Sequence, residues 1–284
     1  MRSDQIDIGN NLAYRKLDWD QMKTGNPKLI PWESANTTYF GVWFNVAKKP
    51  WDDLKVRQAV AKAISTDDLI ASNNGGAEIT GFIPGFFSDY ALPADKIRAK
   101  LKQDVEGAKK ILAEAGYKPG EIKDELKTSG FYAQDAEVVQ QHLQNIGINA
   151  TVNSVVPGAF TGVVQNKNFN IAAGIIGGST LLSFFGNALV VTGSSNNYWN
   201  FSDVEVDRLA KAQAKELDPV KRKALVSQLE ERLWQTLPWV PTVSRTYYYF
   251  YSCRAKNMMY VPTGNTANQQ IIVHMWLDSA GCNS

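Results

Sequence analysis

Only two histidines and two cysteines occur among 284 residues, which removes most of the side chains from which metal centres are built. His142 stands in a helical pattern and His274 lies far from it in sequence; neither sits in a ligand spacing. Both read as ordinary surface or interface histidines, and no metal is expected. No Gly-x-Ser-x-Gly elbow is present, so nothing places a nucleophile on a tight turn. A Cys–His pair, Cys253 with His142 or His274, is the remaining hydrolase reading, and no catalytic residue is assigned. A lone Gly-Gly at 177–178 has neither the Gly-x-Gly-x-x-Gly pattern nor a phosphate-loop lysine, so no nucleotide or other cofactor is expected. Runs of like charge are also missing: 30 basic and 28 acidic residues give a net charge of +2. That removes the electrostatic footprint of a nucleic-acid partner or an anionic membrane surface. The opening MRSDQIDIGNN lacks the apolar segment of an export signal, and no period of 20 to 50 residues marks a repeat array.

What is abundant is apolar and aromatic. Eight Trp, eleven Tyr and twelve Phe supply core, with some left for a ligand cleft. The length exceeds an ordinary single domain, so one large domain or two lobes are expected. Residues 172–191, AAGIIGGSTLLSFFGNALVV, form twenty consecutive uncharged positions. That is long enough to cross a bilayer. Four glycines and the polar Ser179, Thr180, Ser183 and Asn187 interrupt it, however, and GGST divides it into a strand followed by a newly capped helix. The chain is therefore not expected to span a membrane.

Alternating patterns predict strands at 38–45, 148–155 and 169–176 and extended structure from 238 onward. Helices are expected after Asp52 or Asp53, with Val56, Ala59, Val60, Ala63 and Ile64 inward, and after the Ser65 capping box. Others run from Asp104 to a Gly116 stop and from 133 to Gly147. A Ser202/Glu205 box and the Asp218-Pro219 pair each open a further helix. Residues 81–93 and 156–168 read as connecting segments. The acidic pairs at 52–53 and 67–68 are helix caps. Strands alternating with helices indicate an α/β protein, in which ligands meet backbone N–H groups where a strand ends and a helix begins.

The segment FNVAKKPWDDLKVRQAVAKAISTDDLI (44–70) resembles a signature of the bacterial extracellular solute-binding proteins of family 5, the dipeptide/oligopeptide type. DVEGAKKILAEAGYKPG (104–120), QQHLQNIGINATVNSV (140–155) and NYWNFSDVEVDRLAKAQ (197–213) are similar to later family segments, in the same order. The resemblance implies a periplasmic-binding-protein-like clamp of type II. Residues 50–237 would be a complete second lobe, and 1–49 and 238–284 parts of the first, with hinge strands near Asn45 and Pro241. Family members are nearly twice as long, which puts the export signal and the start of lobe one before this chain. The implied function is solute capture for an ABC importer, with permease subunits as partners. The setting would be periplasmic or extracellular, free or lipid-anchored. A sensor or peptide chaperone on the same scaffold is the alternative. Export would favour a disulfide between Cys253 and Cys282 over two free thiols.

Position in that fold makes Trp43, Asn45, Gly178, Ser179, Thr180, Phe184, Trp199 and Tyr247 candidate solute contacts. Arg57, inside Val-Arg-Gln-Ala, is expected to be a structural ion-pair residue and not an anion binder. Peptide-binding relatives usually carry an Asp after the strand matching 169–176, to pair with the peptide amine. GGSTLLSFFGN has no carboxylate, so a neutral polar or anionic solute is expected in place of a free peptide amine.

Overall fold

The computed structural model describes residues 7–9, 16–34, 37–177, 189–257, 275–278 and 282. In chain order it contains β1 (Ile8–Gly9), α1 (Lys16–Gly25), β2 (Leu29–Ser34), β3 (Thr38–Phe44), α2 (Leu54–Ala63), α3 (Thr66–Ser72) and β4 (Ala77–Ile79). There follow α4 (Ala94–Lys100), α5 (Val105–Glu114), β5 (Lys123–Ser129), α6 (Ala133–Asn145), β6 (Asn149–Val155), α7 (Pro157–Gln165) and β7 (Ile171–Gly177). Last come α8 (Val204–Lys215), α9 (Pro219–Thr236), β8 (Trp239–Arg245), β9 (Tyr247–Ser252), β10 (Ala255–Lys256) and β11 (Trp276–Leu277).

The larger sheet has the order β4-β8-β3-β7-β5-β6. Strands β5, β6 and β7 run parallel, whereas β3 is antiparallel to both β7 and β8. Its two faces are buried by different helices. Phe40, Val42 and Phe44 of β3 join Ile171 and Ala173 of β7 in a core with α2, α5 and α6. Tyr39, Trp43, Ala172 and Ile176 point the other way, into a core with α7, α8 and α9. A period of two therefore feeds two cores at once. Burial on both sides is why β7 reads as a continuous apolar run. The uncharged stretch thus begins as a central strand, and among the described residues no helix is long and apolar enough to cross a membrane. The smaller sheet, β1-β9-β2, buries Tyr248 and Phe250 of β9 against Trp19 and Met22 of α1.

The caps explain most boundaries. Asp53, Ser65, Asp104 and Asp218 each accept a backbone N–H in the first turn of α2, α3, α5 and α9. Gly116 and Gly147 adopt left-handed φ values of 89° and 84° where α5 and α6 end. For α8 the cap is Asp203, which accepts from Glu205 and Val206 N–H; the expected cap, Ser202, instead shares a hydroxyl bond with Thr192. The sequence expectation does not include α1, β2, β4 or α4, and two further elements that border the site also differ from it. Residues 157–165 form α7, seeded by Pro157 at its first turn, with Phe160 and Val164 inward one helical turn apart. Strand β5, KDELKTS, is hidden in the sequence by its charges. His142 is not a surface residue: it is 4% exposed, and its Nε2 lies 2.9 Å from Asp68 Oδ2. Cys253 and Cys282 form a disulfide beside the small β10-β11 pair.

Candidate functional site

In an open α/β sheet, ligands gather beyond the carboxyl ends of the parallel strands. Here those ends are Ser129, Val155 and Gly177, and the direction of β8 brings Arg245 to the same rim. Helices α6 and α7 begin at this edge, and neither has a side-chain cap. The first backbone N–H groups of α7 and the positive end of its dipole are thus left toward the rim, whereas α6 continues from a 3-10 turn over Gly130–Tyr132. Two apolar side chains stand in solvent beside them, Phe131 at 48% and Val156 at 71% exposed. An exposed aromatic and an exposed valine next to uncapped helix starts make a surface suited to a ligand with both apolar and hydrogen-bonding groups.

The chain passes between the two sheets at this rim twice, from β2 to β3 and from β8 to β9. The crossings are tied together by the Tyr247 and Thr38 hydroxyls, 3.2 Å apart. Beyond them β9 and β2 present an aromatic row, with Trp32 5.5 Å and Tyr247 6.4 Å from Tyr249, ring centre to ring centre. On the larger-sheet side the Arg245 guanidinium lies 5.1 Å over the Tyr132 ring and is ion-paired through Nη2 to Asp135 Oδ2. Asp135 Oδ1 accepts from Ser72 Oγ and Asn73 Nδ2. Burial, with Tyr247 nearby, pushes the Tyr132 phenol well above its ordinary range, so it remains a neutral hydrogen-bonding group. Asp135, the acidic group of this network, is fully enclosed and committed to Arg245.

Of the residues expected at the site, Tyr247 is at this rim. Gly178, Ser179, Thr180 and Phe184 lie outside the described residues, directly after Gly177. Trp43, Asn45 and Trp199 are together, but at the opposite end of the sheet. Asn45 is fully buried: its Nδ2 donates to Lys167 O and Phe169 O, and its Oδ1 accepts from Asn200 Nδ2 and Ala47 N. Trp199 donates Nε1 to Leu189 O and packs 4.4 Å from Trp239. Trp43 is enclosed with Phe160. These three are core and loop fasteners, because β3 runs downward from the rim and ends far from it. Sequence reasoning missed Tyr132, Phe131, Val156 and Arg245. The signal was available in part, since each follows or ends a strand, but β5 itself was unread.

Gly177 has a specific steric role. A Cβ there would approach Thr38 Cβ to 2.7 Å, in the strand pair next to the crossing. Gly177→Ala is expected to lower stability by about 1–3 kcal/mol through overpacking, read as a shift of the urea midpoint at unchanged slope. A midpoint within experimental error of the parent would contradict this.

The family model described as "Bacterial extracellular solute-binding proteins, family 5 Middle" matches residues 1–198. Among curated proteins, the glutathione-binding protein GsiB of Escherichia coli K12 is 27% identical over 240 residues, covering 78% of this chain and 44% of the relative. Among solved structures, the periplasmic binding protein DppA from Helicobacter pylori, in complex with the peptide STSA, is similar with a TM-score of 0.83 and 20% identity, covering 98% of this chain and 54% of that one. The binding protein AgaA of A. tumefaciens R10, in complex with agropinic acid, gives 0.82 and 21%, covering 98% and 57%. Identities this low establish a shared fold, that of type II periplasmic binding proteins, and the chain spans about half the length of the curated relatives it matches.

Proposed function

Because the chain belongs to the bacterial extracellular solute-binding proteins of family 5, we propose that it captures a polar solute at the rim of its larger sheet and presents it to an ABC importer, without chemistry of its own. In this reading the larger sheet with its helices, roughly residues 38–245, is one lobe. The smaller sheet with α1 belongs to the other. The hydrogen bonding of β3 and β8 within the larger sheet supports placing the boundaries here and not at 50 and 237. The two crossings are then the hinge. The observation that carries the proposal is the rim itself, where two helix starts without side-chain caps and the exposed Phe131 and Val156 lie at the strand ends beside the Tyr247–Thr38 crossing. Permease subunits are the proposed partners, and the periplasm or cell exterior the proposed location, in keeping with the Cys253 to Cys282 bridge.

The solute class follows from charge. Asp135, the acidic group of the Arg245 network, is enclosed and paired, and residues 178–188 contain no carboxylate. A peptide ammonium buried here would lack the counter-charge that offsets its desolvation. A neutral polar or anionic solute, such as an oligosaccharide, a sugar–acid conjugate or an amino-blocked peptide, suits helix starts and hydroxyls better. Titrations followed by tryptophan fluorescence should show saturable binding of a member of these classes. Free-amine di- and tripeptides should bind at least about a hundredfold more weakly, the roughly 3 kcal/mol expected of an unpaired buried charge. Tighter binding of ordinary dipeptides would overturn the charge reading.

A further inference from the structure

Glu230 is 1% exposed on the inward face of α9, and neither of its carboxylate oxygens has a hydrogen-bond partner. Buried carboxylates are nearly always paired or hydrogen-bonded, because an isolated ionised one is among the costliest groups to enclose. The donors around Glu230, the Ile83 amide and the Trp234 indole N–H, lie close enough to favour its charge but outside hydrogen-bonding geometry. On α9 its neighbours are Glu231, another carboxyl group, and Trp234, whose indole N–H also lacks a hydrogen bond. From the end of α4 comes Lys100, but its ammonium is 2.9 Å from Glu231 and lies over the Trp234 ring. From β3 the facing group is Tyr39, a buried phenol that donates to Phe82 O and accepts from Trp239 Nε1. From the segment after β4 come the Ile83 amide and Gly81. A Cβ on Gly81 would lie 2.9 Å from Glu230 Oε1, so the carboxyl rests directly on backbone and occupies room that only glycine leaves.

We propose that Glu230 is held as the neutral acid in the folded protein, and that its ionisation loosens α9 from residues 81–83, making this contact a proton-operated latch. The inference does not rest on the solute-binding reading. Burial raises the carboxyl from 4.5 to about 7, opposed by the Ile83 amide, Lys100 and Trp234. The sign follows from linkage. The unfolded chain releases this proton in the ordinary glutamate range and the folded chain only near neutrality. Each step of pH between those values therefore favours unfolding, and above about 7 the penalty is constant. Helix α9 leads straight into β8, the strand that ends at Arg245, so loosening at Glu230 acts on an element that reaches the rim.

Carbon-13 carboxyl NMR on glutamate-labelled protein should show one side chain titrating near pH 7, absent in Glu230→Gln. Amide exchange at residues 81–83, corrected for its intrinsic pH dependence, should accelerate through neutrality in the parent and stay level in the variant. The unfolding constant of the parent, relative to the variant, should rise roughly 250-fold between about pH 3.5 and 8. Glutamates that all titrate in the ordinary range, or parallel stability profiles for parent and variant, would overturn the proposal. Should Glu230→Gln not fold, the titration of the parent decides alone.

Discussion

Replacing Arg57 with alanine should destabilise the protein by about 3–5 kcal/mol, among the largest single-residue losses expected outside the aromatic core. Arg57 is 7% exposed, and its guanidinium donates only to backbone. Nε reaches Leu237 O at 2.9 Å, Nη2 reaches Thr236 O at 2.9 Å, and Nη1 reaches Trp51 O at 2.7 Å and Asp52 O at 3.0 Å. The expected ion-pair role is thereby corrected to a carbonyl clamp. It joins the loop before α2 to the carboxyl end of α9, where Leu237 takes a left-handed φ of 44°. Helix carboxyl ends leave carbonyls without partners and carry a negative dipole end, so a planar cation with several donors suits the position. Burial lowers the guanidinium to about 10 while Asp53 and Asp52 hold it up, so it remains charged at neutral pH. Lysine at 57 keeps the charge but loses the fork, and should recover less than half of the loss. Urea unfolding of the two variants measures this; a loss below about 1 kcal/mol for alanine would refute the clamp.

Asp135→Ala is expected to cost a similar amount, about 3–5 kcal/mol, because removing one member of a buried pair leaves the other enclosed and uncompensated. Asp135 holds Arg245, Ser72 and Asn73 together under the rim, and Arg245 already has an enclosed Nε with no partner. Arg245→Met with Asp135 intact should also destabilise. The double variant, which removes both charges, should be more stable than the sum of the single losses implies, by roughly 1–3 kcal/mol. Additive losses would mean that the pair is not coupled. The Tyr132 ring beneath the guanidinium should move with it, so under the proposed function solute affinity is expected to fall in both single variants even below their unfolding temperatures.

The two predictions concern residues that sequence reading treated unequally. Arg57 was visible as a structural residue inside a helix pattern, but its partners were not, since carbonyls 180 residues away leave no mark in composition. Asp135 and Arg245 were not singled out at all. They are 110 residues apart, and each alone resembles an ordinary charged surface position. Trp43, Asn45 and Trp199 show the opposite error. Aromatic and amide groups near an expected hinge looked like a cleft, yet strand direction carries them to the other end of the sheet. Strand β5 was missed because its charges hide the short buried run of Leu126, Thr128 and Ser129, and α7 because proline and glycine suggested a linker.

The amino-acid sequence by itself determined the local elements whose causes are local: the capped amphipathic helices, the glycine stops, the doubly apolar central strand and the ordered segments of the solute-binding family. Side-chain period, cap chemistry and backbone preference act over a few residues, so they can be read along the chain. Only the tertiary structure decided which ends of the strands face the rim, which charges neutralise one another, and which carboxyl is left without a partner. Those outcomes depend on strand direction and on neighbours brought together from distant positions, and desolvation assigns each buried charge its consequence only after that packing exists.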